Sequence, residues 1–212
     1  MNRSAMTNPF RALGRLRLIA LFALPLALAA CGSDPVPAER PPLEGAAIGG
    51  PFTLMDKAGK TVRWDDFKGQ YRIIYFGYTF CPDACPLDVQ ALMQGFARFE
   101  KQSPALARQV QPIFVSIDPA RDTPQVVGEY AAAFSPRLLG LTGTPEQVAQ
   151  AAKAFSAYYA RGKESAGGYL MDHSRIAFLM GRKGEPIAML PVDKGVEHGP
   201  DAVAAELAKW VH

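Results

Sequence analysis

Two cysteines four positions apart have the clearest capacity for chemistry in this sequence. Cys81 and Cys85 lie in Tyr78-Thr-Phe-Cys-Pro-Asp-Ala-Cys-Pro86, where a β-branched and aromatic run hands over to a helical pattern. Thiols near a helix N-terminus meet a positive partial charge that favours the thiolate. The thiolate is both a metal ligand and a redox nucleophile. On a helix, residues i and i+4 hold their Cβ atoms about 5–6 Å apart, whereas a disulfide prefers about 3.5–4.5 Å. Two sulfurs, each about 2.3 Å from one ion, bridge the wider gap. The spacing therefore suits a shared ion slightly better than an easy disulfide. A structural disulfide formed in a non-helical loop stays open, because CxxxC alone is a weak signal.

A third ligand would complete a three-coordinate site, and the sequence has three histidines. His212 ends the chain and is expected to fray. His198 stands beside Gly199-Pro200, ahead of the last helix, at a capping or surface position. His173, in Tyr169-Leu-Met-Asp-His-Ser174, leads into the closing hairpin. In a thioredoxin-like fold that position lies opposite the cysteine loop. The alternative for His173 is a satisfied structural histidine. Two soft thiolates with one imidazole suit Cu(I), and they accommodate Cu(II) or zinc. Met55, Met93, Met171, Met180 and Met189 are scattered and read as packing.

A further cluster is Ser116-Ile-Asp-Pro-Ala-Arg-Asp-Thr-Pro124. A turn followed by a helix cap explains Asp122 to Pro124. Asp118, paired with Arg121, fits two readings: part of that turn, or a group beside the metal that tunes its ligands.

These residues need a frame. Phe52 to Asp56 and Lys60 to Val62, joined at Gly59, read as a β-hairpin. Trp64 to Lys68 is a single helical turn. Arg72 to Tyr78 is a buried strand. A helix covers Cys85 to Lys101, with Leu87, Leu92, Phe96 and Phe99 near helical spacing. Pro112 to Ile117 is the next strand. Thr123-Pro124 starts a helix that runs to about Phe134. Leu138 to Leu141 is a short strand, and Thr144-Pro145 opens a helix to about Tyr159. Arg161 to Gly168 reads as a polar loop. Ser174 to Met180 and Ile187 to Leu190 form the closing hairpin, and Asp201 to Val211 the last helix. Strand–helix alternation gives a parallel core closed by antiparallel strands. The fold class is α/β, a thioredoxin-like fold with an N-terminal β-hairpin extension.

The first thirty residues differ from the rest. Arg3, Arg11, Arg15 and Arg17 precede an apolar run from Leu18 to Ala30. A membrane span needs about 20 residues, so this shorter run fits a signal h-region. It ends in Leu28-Ala-Ala-Cys31, which resembles a bacterial lipobox whose cysteine is lipidated. No twin-arginine pair is present, so export is expected to proceed unfolded. The domains are then a lipoprotein signal peptide over 1–30, a lipid-anchored tether rich in proline and glycine over 31–48, and a folded domain over 49–212. Without the four signal arginines, 19 of the 23 Lys+Arg remain against 20 Asp+Glu. The mature chain is therefore close to neutral, and nucleic-acid binding has no electrostatic support.

Together, YTFCPDACP (78–86), DPARDTP (118–124) and YLMDHS (169–174), with GGPFTLMDKAGKTV (49–62) as the opening hairpin, resemble the SCO/SenC family of copper-binding assembly proteins. The resemblance runs over roughly residues 45–212. It implies a membrane-tethered domain on the periplasmic face, at the cytoplasmic membrane. It also implies copper held by Cys81, Cys85 and His173, an upstream copper donor, and a role in assembling the dinuclear copper centre of cytochrome c oxidase subunit II. Ala84 departs from the β-branched residue often found there and disturbs no ligand.

Copper delivery is the leading function. A thiol–disulfide oxidoreductase acting on the recipient's cysteines is the alternative; Asp172-His173 lacks the proline with which thioredoxins hold substrate chains. A copper or redox sensor is the third reading. All three need the same two thiols.

Overall fold

The computed structural model describes residues 39–165 and 168–212. The signal segment and Cys31 lie outside the described residues. The chain opens with a hairpin, β1 (Thr53–Met55) and β2 (Thr61–Arg63), followed by a 3₁₀ turn over Trp64–Phe67. Next come β3 (Tyr71–Gly77), α1 (Ala84–Gln102), the short α2 (Pro104–Ala107), β4 (Val110–Ser116), α3 (Pro124–Phe134), β5 (Leu139–Leu141) and α4 (Pro145–Ala154). A second hairpin, β6 (Tyr159–Ser165) and β7 (Gly168–His173), precedes β8 (Ala177–Met180), β9 (Pro186–Leu190) and α5 (Gly195–Trp210).

The central sheet has the order β5-β4-β3-β8-β9. β3 pairs in parallel with β4, and β4 with β5, while β8 and β9 run antiparallel. Every residue of β3 is buried, which requires both faces of the sheet to be covered. Tyr71, Ile73 and Tyr75 face α1, α3 and α5 through Leu92, Phe96, Val127, Ala131, Val203 and Leu207. Ile74, Phe76 and Tyr78 face the other way, onto Leu54 and Trp64 of the opening hairpin and turn and Val148 and Phe155 around α4. The period-2 alternation of a strand thus splits one sequence run between two cores. This is the thioredoxin-like arrangement with an N-terminal hairpin extension that the strand–helix order predicts.

Several segments differ from expectation. α4 ends at Ala154, well before Tyr159, because Ser156 takes a left-handed conformation (φ 51°) and turns the chain. Arg161 to Gly168 is no loop: most of it is strand, in the β6–β7 ribbon. α5 starts at Gly195 and carries Pro200 inside it, so His198 is an exposed residue of the helix. The main chain of His212 does not fray, since its carbonyl accepts from the Tyr71 hydroxyl at 3.0 Å and from Arg182 at 3.0 Å. Leu87 and Met189 are exposed rather than core. Of the expected tether, residues 39–48 lie against the domain: the Leu43 amide donates to the Ile187 carbonyl, and Leu43 and Ile48 pack on the core.

Candidate metal centre

The site forms where β3 and β4 end. β3 delivers Tyr78, and the loop after it carries Cys81 in a turn whose amide approaches the Tyr78 carbonyl at 3.4 Å. A buried carboxylate fixes this loop. Asp122 accepts from the Thr79 amide at 3.0 Å, the Thr79 hydroxyl at 2.5 Å and the Ser116 hydroxyl at 2.5 Å. The N-cap of α3 is Thr123, whose hydroxyl accepts from Val126. Asp122 is therefore a brace between the cysteine loop and β4, a role the cap reading did not reveal. Its only sequence signal is a carboxylate directly ahead of a Thr-Pro cap.

Cys85 is the second residue of α1 and fully buried, whereas Cys81 lies before the helix and is partly exposed. The pair is thus not two helical residues at i and i+4. Instead the Cys85 amide, in the first turn, donates to the Cys81 sulfur at 3.3 Å, as an N-terminal amide does for an anion. Gly77 makes room: a Cβ there would lie 3.2 Å from the Cys85 sulfur and 3.0 Å from the Phe114 and Tyr75 rings.

His173 ends β7 and reaches the cysteines from the ribbon. Its Nε2 lies 3.0 Å from the Cys85 Sγ, and its Nδ1 lies 2.9 Å from the Ser174 carbonyl. A carbonyl only accepts, so Nδ1 carries a proton; Nε2 faces Cys85 as an acceptor in the neutral ring and as a donor in the imidazolium. The rings of Tyr75 and Tyr78 stand edge-on to the imidazole, with centroids 6.4 Å and 5.9 Å away. Both thiols are free. The Cys81 thiol is held well below the ordinary range, chiefly by a hydrogen bond from Cys85, with His173 adding to this and burial opposing it. The same bond and burial push the Cys85 thiol up.

The two sulfurs and the imidazole nitrogen all lie within 4.8 Å of one another. Bonds of about 2.0–2.3 Å to one ion separate its ligand atoms by roughly 4 Å, so the three donors fit a shared soft ion with small adjustment. His198 and His212 stand apart from this group.

Asp118 and Arg121 are brought together, and their bonds go to Tyr169 rather than to sulfur or imidazole. Arg121 Nε donates to Asp118 at 2.5 Å, Arg121 Nη1 to the Tyr169 carbonyl at 2.9 Å, and the Tyr169 hydroxyl to Asp118 at 2.8 Å. The guanidinium also packs on the rings of Tyr169, Phe80 and Tyr78, at 3.6, 4.7 and 5.8 Å. Asp88, on α1, is a second buried carboxylate not picked out from the sequence. It accepts from the Tyr75 hydroxyl at 2.9 Å and from Arg175 at 2.9 Å and 2.6 Å.

The profile of the SCO1/SenC family matches residues 40–212. The chain belongs to that family. The mitochondrial SCO1 homolog 1 of Arabidopsis thaliana is 37% identical over 172 residues, 81% of this chain and 51% of that protein. The copper-bound ScoI of Arabidopsis thaliana superposes with a TM-score of 0.68 at 36% identity, covering 77% of this chain and 97% of that one. The copper-bound ScoI of Bradyrhizobium japonicum gives 0.68 at 35% identity, covering 78% and 100%. These structures bear out the thioredoxin-like fold read from the sequence. The chain spans about half the length of the mitochondrial relatives it matches, 46–53%.

Proposed function

We propose that this SCO1/SenC protein is a copper metallochaperone that carries copper on Cys81, Cys85 and His173. Its recipient would be the dinuclear copper centre of cytochrome c oxidase subunit II, and a periplasmic donor would load it. The observation that carries the reading is the convergence of two thiol sulfurs and an imidazole Nε2 within 4.8 Å. A soft S₂N set favours Cu(I) over the harder ions of its surroundings, and copper in ScoI structures at about this level of identity supports it. Copper is the cargo here. Cys81, already inclined to the thiolate, is the side open to an exchanging partner, while Cys85 and His173 grip from within.

The Leu-Ala-Ala-Cys31 pattern supports a signal peptide over 1–30 and a lipid on Cys31. The domain would then work tethered at the periplasmic face of the cytoplasmic membrane. Asp118 and Arg121 act on the site through Tyr169 and Tyr78, not by touching copper.

The test is copper titration of the reduced chain from Glu39 onward, which holds both cores, with X-ray absorption to count ligands. One copper with two sulfurs and a nitrogen is expected. Cys81→Ala or Cys85→Ala should abolish tight binding, and His173→Ala should weaken it and remove the nitrogen. Binding indifferent to all three changes overturns the proposal. Weak binding together with facile reduction of partner disulfides would favour the oxidoreductase reading. In cells, deletion should lower the copper content of the oxidase. Intact oxidase with altered copper-responsive expression would instead indicate a sensor. Mass spectrometry of the mature N-terminus tests the lipid on Cys31.

A further inference from the structure

His173 belongs to no strand of the central sheet. It ends the β6–β7 ribbon, a separate two-stranded sheet, and such ribbons are marginal on their own. Its partners are the Tyr159–His173 strand pair, the Ser174 carbonyl, the edge-on rings of Tyr75 and Tyr78 and, from α1, the Cys85 sulfur. Something must hold this ligand against α1 when no ion bridges them.

Two residues after His173 stands Arg175, and three residues after Cys85 stands Asp88. One helix and one connecting segment are therefore linked twice, by Cys85 to His173 and by Asp88 to Arg175. The second link is a two-pronged pair, Nε to Oδ2 at 2.9 Å and Nη2 to Oδ1 at 2.6 Å. The Asp88 side chain is 1% exposed and that of Arg175 45%. The Tyr75 hydroxyl, whose ring stands edge-on to His173, takes a further position on the same carboxylate. A planar guanidinium on a carboxylate fixes orientation as well as distance.

Resting on the copper reading above, we infer that Arg175, through its pair with buried Asp88, is a positioning residue: it holds the His173 segment against α1 so that the imidazole is in place before copper arrives. Without the pair, the ribbon end would have to be ordered by copper itself, and the third ligand would bind at the cost of that ordering. The far end of the ribbon has its own anchor at Tyr169, Asp118 and Arg121, and Tyr159 and Met171 pack on the core, so losing Arg175 removes the charged link to α1 at the end nearest the metal.

The test uses the full chain purified in detergent, in four forms: wild type, Arg175→Ala, His173→Ala and the double variant. Cu(I) affinity is read by competition with a chromophoric chelator, and ligands by X-ray absorption. Altered positioning of a metal ligand typically costs 10–100-fold in affinity, so Arg175→Ala should weaken Cu(I) by about that factor and lose the nitrogen ligand. The double variant should bind no more weakly than His173→Ala alone. In the copper-free chain, amides of Asp172 to Ser174 should exchange faster in Arg175→Ala, with α1 core amides unchanged.

Removing one partner of a buried pair can unfold a protein. The uncharged pair Asp88→Asn/Arg175→Gln guards against this, and it should reproduce the loss of nitrogen. Wild-type affinity with nitrogen retained in Arg175→Ala overturns the inference. So does a further loss of affinity in the double variant, which would mean Arg175 acts other than through His173. If wild type itself fails to bind copper, it is the metallochaperone reading that fails, and this inference falls with it.

Discussion

At the scale of residues, the centre pairs two cysteines of opposite character. Cys81 is partly exposed and its sulfur accepts from the Cys85 amide and thiol, which holds it well below the ordinary thiol range of about 8–9. Cys85 is buried between the Cys81 sulfur and the His173 Nε2, and the interaction with Cys81 together with burial pushes its thiol up. The sign follows directly: a thiol with a lowered pKa stays a thiolate as pH falls below the ordinary range, and a raised one stays protonated. Only the thiolate is alkylated. In the copper-free chain, iodoacetamide should therefore modify Cys81 at a rate nearly flat between pH 6 and 8, with Cys85 untouched until the protein unfolds. An ordinary thiol slows about tenfold per unit over that range. Peptide mass mapping distinguishes the two, and a tenfold fall per unit at Cys81 would refute this account. The reacting residues were legible because sulfur and imidazole are rare and their segments distinctive. Asp88 and Asp122 were not, because a buried carboxylate looks like any surface carboxylate until its partners, 87 and 43 positions away in the case of Arg175 and Thr79, are known.

At the scale of elements, helices and strands were legible wherever one periodicity ran unbroken, as in β3, β4, α1 and α3. Each departure has its own physical cause. The sequence carries α4 on to Tyr159 because Phe155, Tyr158 and Tyr159 continue an apolar spacing, and a serine at positive φ carries no glycine-like warning. Arg161 to Gly168 reads as a loop because β6 stands off the central sheet and is polar, with Arg161, Lys163 and Glu164 leaving little apolar alternation. The sequence starts α5 only at Asp201 because Gly195, Gly199 and Pro200 are breakers by propensity. Tertiary packing outweighs that propensity: α5 lies so close to α1 that a Cβ on Gly95 would sit 2.6 Å from Val203 Cβ and 2.8 Å from the Pro200 carbonyl. Two effects of Gly95→Ala then oppose each other. Helix propensity favours alanine by about 1 kcal/mol, while overpacking of a fitted interface costs about 1–3 kcal/mol. Because a backbone carbonyl cannot swing aside, the clash should prevail, and the variant should lose about 1 kcal/mol, at most about 2, by urea unfolding. Equal or greater stability would show that the two helices can part without loss.

At the scale of the whole molecule, the sequence places the folded domain from residue 49, yet the compact unit begins at Glu39. The added stretch has few apolar residues and no periodicity, so nothing local marks it as structured; its partners come from the far end of the chain. Leu43 donates to Ile187 of β9, Gly49 to Ala154 of α4, and Glu39 meets Lys209 of α5 at 2.6 Å. The first of these covers part of the free edge of β9, the sheet's terminal strand, and unpaired edges invite association. The Glu39–Lys209 pair is exposed and contributes little. The half-buried Leu43 and Ile48 contribute more, about 1 kcal/mol each. A chain starting at Gly50 should therefore be about 2 kcal/mol less stable than one starting at Glu39, a fall in Tm of about 4–8 °C for this size. It should also associate more readily at high concentration. Copper affinity should not change. The segment lies beside Tyr71 and Ile187, at the start of β3, whereas the cysteine loop follows its end, about 20 Å along a seven-residue strand. Calorimetry and copper titration on the two chains separate the effects. Equal melting would mean that residues 39–49 only rest on the domain, and a joint loss of copper affinity would mean that stability at this pole reaches the metal centre through β3.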